Sequence, residues 1–204
     1  MAYTEVFAAQ GDVVLVVNSG TTKPEYLVSS QQLSLASPVF RVMLSPFFLE
    51  GQNLSSALPK EIELPEDAAG PIRLLCSLTH FTPTETFPDG LSAPDFLQFA
   101  KLVDKYDCRR ALRYANEAYF SRHKKNVDKL SHLLQAACYV DDAAAFETIS
   151  AALGYRLGQA ALSRLATVDD VLPKKVYEEI EKQCNQIQGR IIEKIEEYVD
   201  SAGD

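Results

Sequence analysis

The chain has 204 residues, 47% of them hydrophobic, and its 28 acidic and 20 basic side chains give a formal net charge of −8. This length and composition are sufficient for one substantial buried core. The acidic balance argues against nucleic acid as a partner, because affinity for a phosphate backbone depends on clustered Lys and Arg.

The residues that usually carry catalysis or bind metals are dispersed along the chain. The four cysteines contain no Cys-x-x-Cys pair, and the three histidines have no acidic or cysteine partner at ligand spacing. No glycine-rich phosphate-binding loop occurs either. We therefore expect no enzyme activity, no metal and no cofactor, and we interpret His80 and Cys108 as structural residues.

Targeting signals are not visible in the sequence. The N-terminal residues lack the basic flank and apolar run of a secretory signal, and no segment approaches the ~20 apolar residues of a membrane span. We expect an intracellular protein, cytoplasmic or nuclear, with no membrane partner.

Two strands are predicted near the start of the chain. Asp12 to Val17 is an apolar, β-branched run that turn-forming residues terminate, which is typical of a strand buried on both faces. Tyr26 to Val28 forms the second strand, and the turn formers between the two runs predict a hairpin. The residues before them leave room for a short strand at Thr4 to Phe7.

Two short helices should follow. Ser29 or Ser30 can cap a helix that ends at Ala36, and Ser37-Pro38 combines a capping hydroxyl with proline at the first helical position. Four apolar residues of the second helix recur at helical spacing and should face the core. These residues are Val39, Phe40, Met43 and Leu44.

A strand and a buried helix come next. Lys60 to Pro65 alternates polar and apolar residues, as in a half-buried strand. Asp67 is a candidate cap for a helix that should be buried nearly all round and should include Phe81 on one face. Residues 82–90 form a loop, or a short final strand at 85–87.

Ser92 and Asp95 have the spacing of a capping box and predict another helix. Asp107 is predicted to start the following helix, with Cys108 on its apolar side. The one basic concentration of the chain lies here, and it is interpreted as a solvated helix face or as a docking surface for an acidic partner. Its members are Arg109, Arg110, Arg113, Arg122, Lys124 and Lys125.

Every periodic segment after Arg122 is typical of helix. One helix is predicted around residues 130–138, and a second begins at a cap provided by Asp141 or Asp142. A last helix after Pro173 has an apolar stripe with an eleven-residue period. That stripe either packs on the preceding helices or pairs two copies of the chain.

Four of these segments, in this order, resemble the BTB (POZ) domain. Asp12–Val17 resembles its first core strand, and Leu33–Phe40 (Leu-Ser-Leu-Ala-Ser-Pro-Val-Phe) resembles its signature helix pair. Glu61–Pro65 is similar to the next strand, and Phe99-Ala100 with Asp104–Cys108 is similar to a late helix pair. The chain looks most like the small stand-alone BTB proteins of fungi.

The resemblance implies an α+β fold for residues 5–121, with a short mixed sheet flanked by helical hairpins, and an all-helical extension over residues 122–204. It also implies a non-enzymatic protein–protein interaction module. Cullin-binding BTB domains carry a hydrophobic-x-Glu triplet just after the signature pair, and Phe48-Leu49-Glu50 is in that place. The triplet suggests a substrate adaptor for a cullin-based ubiquitin ligase. Together with Phe47 it either forms a binding surface or folds back over the core.

One departure from the family bears on dimerisation. Ser29 and Ser30 stand where the family usually has His and a basic residue, so Asp12 lacks the basic partner with which it would line a charged pocket at a dimer interface. The alternative function is a self-assembling scaffold or transcription-associated protein that binds no cullin. Such a homodimer would form through the BTB face or through the C-terminal helix.

Overall fold

The structure is a computed structural model that describes residues 3–17, 23–82, 84, 87–124, 129–153 and 174–201. The fold is α+β, as predicted. Its four strands form one sheet, and they are β1 (Glu5–Val6), β2 (Val13–Val17), β3 (Glu25–Val28) and β4 (Lys60–Leu64).

The sheet has the order β1-β3-β2-β4. β2 and β3 are antiparallel, which confirms the predicted hairpin, whereas β1 pairs with β3 and β4 pairs with β2 in parallel. Every residue of β2 is buried: Val13, Leu15 and Val17 belong to the main core, and Val14 and Val16 pack with β3 on the other face. The continuous apolar run therefore marks a central strand, as expected.

The predicted helix pair is present as α1 (Ser30–Ala36) and α2 (Pro38–Met43). Ser29 caps α1, and the Ser37 hydroxyl caps α2 by accepting the Phe40 N–H at 3.0 Å. The prediction that Val39 faces the core is wrong. Val39 is exposed because only the Phe40 side of this two-turn helix is directed into the protein.

The helix after the fourth strand is α3 (Ala69–Thr79), and most of its side chains are buried, as predicted. Its N-cap position is held by Ala68 without a side-chain bond, so the prediction that Asp67 caps it is wrong. Phe81 is exposed, contrary to expectation, because α3 ends at Thr79 and the chain passes through a positive φ of 55° at Phe81. The alternative strand at 85–87 includes residues outside the described ranges.

The next helices are α4 (Ala93–Lys105), which packs against α3, and α5 (Arg113–His123). The predicted cap is confirmed, since the Ser92 hydroxyl accepts the N–H of Asp95. Asp107 does not start the next helix: its φ is 51°, and the Cys108 N–H bonds the Val103 carbonyl at 2.8 Å to close the end of α4.

The C-terminal helices are α6 (Leu130–Tyr139), α7 (helical over the described residues 143–153) and α8 (Lys174–Ser201). Asp142 caps α7 by accepting the Ala145 N–H at 2.9 Å, as one of the two predicted alternatives. α6 packs against α4. Within the described part of the chain, no helix is long and apolar enough to cross a membrane.

Candidate protein-interaction surfaces

The apolar loop, defined as Phe47, Phe48 and Leu49, lies between α2 and β4 and is open to solvent. Phe47 is 91% exposed, Phe48 47% and Leu49 75%. The alternative that this run folds back over the core is therefore wrong. Glu50 beside it is half-buried and has no ion-pair partner among the described residues.

The apolar loop is held in a defined shape despite its exposure. Leu49–Gly51 form a turn of 3₁₀ helix, and the Phe48 and Gly51 amides donate to carbonyls three residues back, both at 3.1 Å. Lys60 of β4 donates to the carbonyl oxygens of Leu49 and Gln52, the second at 3.1 Å. The Lys60 side chain therefore ties the main chain of the loop to the sheet and leaves the side chains of the loop free.

Gly51 permits a close approach of this loop to the end of α2. A Cβ atom at Gly51 would lie 2.0 Å from the carbonyl oxygen of Ser45 and 2.4 Å from the carbonyl carbon of Leu44. No side chain fits at such distances, so the glycine is required by contact with the backbone.

Further exposed apolar side chains occur in the same part of the sequence. Val39 and Val42 are three residues apart on α2 and share a face, and Leu58 is exposed before β4. Sequence reasoning missed Val42 and Leu58. An i, i+3 pair of valines on the opposite side of the helix from the buried positions could have indicated the first of them.

Asp12 lacks a basic partner among the described residues, as predicted, and has the neutral Ser30 instead. Its two carboxylate oxygens accept the backbone N–H of Ser30 at 2.8 Å and the Ser30 hydroxyl at 2.6 Å. Asp12 therefore fixes the start of α1, and each of its carboxylate oxygens already accepts one hydrogen bond within the chain.

The segments that resemble the signature helix pair and the late helix pair meet in the core. The buried Ser37 hydroxyl donates to the Tyr106 carbonyl at 2.5 Å, and the Phe40 ring stacks on the Tyr106 ring at a centroid distance of 4.4 Å. The Tyr106 hydroxyl and Lys105 both donate to the buried Asp67 carboxylate, each at 2.7 Å. Asp67 therefore links β4 to the end of α4, a role that sequence reasoning missed because its partners are 38 and 39 residues away.

The residues interpreted as structural are buried and hydrogen-bonded. His80 accepts the Ser29 N–H at Nε2 (2.9 Å) and lies 2.9 Å from the Cys76 carbonyl at Nδ1, and burial lowers the pKa of its imidazole. Burial raises the pKa of the Cys108 thiol to about 11, which keeps it protonated and unreactive near neutral pH. Among the described residues, no group of three or more His, Cys, Asp or Glu could hold a metal ion.

The basic concentration is partly neutralised by neighbouring acids. Arg113 pairs with Glu117 at 2.7 Å, and Arg122 pairs with Asp89 at 2.6 Å. Arg109 bonds Asp104. Lys125 lies outside the described residues.

The predicted apolar stripe of α8 is mostly open to solvent. Exposure rises along it from 8% at Ile180 to 75% at Tyr198, and Ile187, Ile191 and Ile195 are all exposed. The alternative that the whole stripe packs on the preceding helices is wrong, because burial is limited to Ile180 among the described side chains of the stripe. The side chains of Val176 and Cys184 lie outside that description.

No family model matches this chain, and no curated protein matches it. The surfaces that can carry a function are therefore the apolar loop, the basic concentration around α5 and the stripe of α8.

Proposed function

We propose that the chain is a non-enzymatic protein-interaction module of the BTB type, acting in the cytoplasm or nucleus, whose apolar loop and Glu50 bind a cullin scaffold. The observation that carries the proposal is the exposure of Phe47, Phe48 and Leu49 on a loop that is fixed to the sheet. The sequence resemblance supplies the cullin as the partner, and a substrate adaptor is the corresponding role.

The physical argument concerns what this loop can offer a partner. Aromatic and aliphatic side chains that lose their contact with water on binding are the usual anchors of protein interfaces. A loop already held by Lys60 and Gly51 loses little conformational entropy on binding, which favours affinity. Glu50 adds a carboxylate with no ion-pair partner among the described residues, which can select a basic surface.

The test is complex formation between the full chain and the N-terminal domain of a BTB-binding cullin, measured by light scattering after gel filtration. Phe48→Ala and Glu50→Lys should each abolish or strongly weaken the complex. Phe81→Ala removes a more exposed aromatic residue and Glu61→Lys reverses a more exposed charge elsewhere, so they should leave the complex intact.

Two outcomes would contradict the adaptor role. One is the absence of any complex with the wild-type chain. The other is a complex that is equally affected by the loop variants and by their controls, since binding would then involve another surface.

The second candidate function is a self-assembling scaffold, and the exposed stripe of α8 favours it. Two copies can bury the same apolar face against each other in a two-fold arrangement, so a single sequence satisfies both sides of the interface. A scaffold of this type would have twice the monomer mass in solution, and variants of the apolar loop would leave that mass unchanged.

A further inference from the structure

A cleft of about 590 Å³ lies between α5 and the segment that leads from α6 into α7. Its size is within the range of ligand-binding pockets. One wall is formed by α5 and the turn before it, and the other by residues 140–149. The cleft is on a different part of the chain from the apolar loop.

The α5 wall of this cleft is basic. Arg109, Arg110, Arg113 and Lys124 line it, against the acidic residues Glu117, Asp141 and Asp142. Arg113 is paired with Glu117, and Asp142 is occupied as the cap of α7. Arg110 and Lys124 are exposed and have no ion-pair partner among the described residues, so two cations on one wall remain available.

A buried amide lies on the same wall. Asn116 is only 2% exposed and lines the cleft, and its Oδ1 has no hydrogen-bond partner among the described residues. Buried side-chain amides are nearly always hydrogen-bonded, and leaving one unpaired is unfavourable. The side-chain amide has an acceptor and donors, so it can pair with a peptide group of an incoming chain once the side chain turns toward the cleft.

We propose that this cleft binds an acidic peptide segment of a partner protein. Asn116 pairs with a main-chain amide of that segment, while Arg110 and Lys124 bind its Asp or Glu side chains. A small anion would satisfy the cations but would not provide the N–H donor that Asn116 Oδ1 requires. The site is separate from the apolar loop, so neither proposal depends on the other.

The test uses fluorescence polarisation with the full chain and two labelled nine-residue peptides. One peptide has five alternating Asp and Glu residues between Gly-Ser ends, and the other has Asn and Gln in their place. The acidic peptide should bind at least about tenfold more tightly, because electrostatic complementarity determines the choice of partner. Arg110→Gln and Lys124→Gln should each weaken its binding several-fold.

Two variants distinguish binding in this cleft from a general attraction between opposite charges. Arg122→Gln removes a positive charge from the same helix outside the cleft and should leave affinity for the acidic peptide unchanged. Asn116→Leu changes no charge and should weaken binding while maintaining or raising the melting temperature of the free protein, because it removes an unpaired buried oxygen.

The proposal is overturned if both peptides bind equally, if neither binds, or if Arg122→Gln weakens binding as much as Arg110→Gln. Unchanged binding by Asn116→Leu would also contradict it. Citrate at the same carboxylate concentration should not displace the peptide, and displacement as effective as that by unlabelled peptide would show a site for small anions instead.

Discussion

The Ser37 hydroxyl joins two segments that are 69 residues apart in sequence. It accepts the Phe40 N–H as the cap of α2 and donates to the Tyr106 carbonyl, and it is completely buried. Ser92 performs only the first of these roles at an exposed site, where it accepts the Asp95 N–H. A comparison of Ser37 with Ser92 therefore distinguishes the contribution of the helix cap from that of the hydrogen bond to Tyr106.

Replacing Ser37 by Ala should cost about 2–3 kcal/mol in the free energy of unfolding, because the cap is lost and a buried carbonyl loses its donor. Ser92→Ala should cost about 1 kcal/mol, since the bonds lost are the cap and an exposed one to the Asp95 carboxylate within the same turn. Urea denaturation of both variants measures the difference. Equal losses would show that the Ser37–Tyr106 hydrogen bond contributes nothing.

His80 should make stability depend on pH. Burial lowers the pKa of its imidazole from the ordinary value of 6.5, because protonation would charge a buried ring and remove the acceptor for the Ser29 N–H. Above pH 6.5 the contribution of the neutral ring is fully present. As the pH falls, the unfolded chain takes up the proton first, and stability is lost until the folded form also titrates.

The melting temperature should therefore fall between about pH 7.5 and about pH 5.5, and His80→Gln should reduce that fall. His132→Gln replaces a partly exposed histidine on α6 and serves as the control, with the wild-type pH dependence expected. An unchanged slope in His80→Gln would show that other groups account for the effect.

Helix caps could be predicted from the sequence, because the residues that form a cap are close neighbours along the chain. Contacts between distant residues could not. Ser29, Ser37 and Ser92 act as caps as predicted, because a cap and its bonded amide are within three residues of each other. Asp67 was misassigned because its partners come from α4, far away in sequence. The start of α5 was misplaced because a left-handed residue at Asp107 leaves no distinctive local pattern.

The candidate surfaces could likewise be predicted only where the signal is local in sequence. The position of Phe48-Leu49-Glu50 could be predicted from the sequence, whereas its exposure depends on the contact of Gly51 with the backbone of Leu44 and Ser45. Periodicity could identify the stripe of α8, but not that Ile180 alone is covered among its described side chains. The cleft beside Asn116 requires two helices that no local pattern brings together.

Gly51→Ala should displace the apolar loop, because the added Cβ would lie 2.0 Å from the Ser45 carbonyl oxygen. We expect a loss of about 1–3 kcal/mol in unfolding free energy, as for overpacked sites, together with weaker binding of the cullin domain. Gly189→Ala is the matched control, since a Cβ in that turn of α8 meets nothing within 4 Å. It should stabilise the chain by about 0.5–1 kcal/mol, because alanine is the better helix former. Equal stability of the two variants would contradict a requirement for glycine at position 51.

At the scale of the whole molecule, α8 determines whether the chain is a monomer. Its 28 residues would extend about 42 Å at ~1.5 Å per residue, and its stripe is covered only near the start. The apolar loop and the α5–α7 cleft belong to other parts of the chain. Self-association through the α8 stripe would therefore use none of the residues assigned to those two surfaces.

Ile191→Asp should convert a dimer to a monomer, because it places a charge at the centre of the exposed stripe. Gln186→Asp adds the same charge on the opposite side of α8 and should leave the mass unchanged. Light scattering of the full chain over a range of concentrations measures both. A monomeric wild-type chain, or a dimer that survives Ile191→Asp, would exclude pairing through α8.

Amide hydrogen exchange of the full chain, with and without the cullin N-terminal domain, tests the proposed function most directly. The Phe48 and Gly51 amides form hydrogen bonds within the loop and report on its environment. We predict slower exchange across residues 45–52 on addition of the cullin domain, with exchange in α5 unchanged. A complex that protects other segments but not this loop, or no protection anywhere, would contradict the assignment of the apolar loop as the binding site.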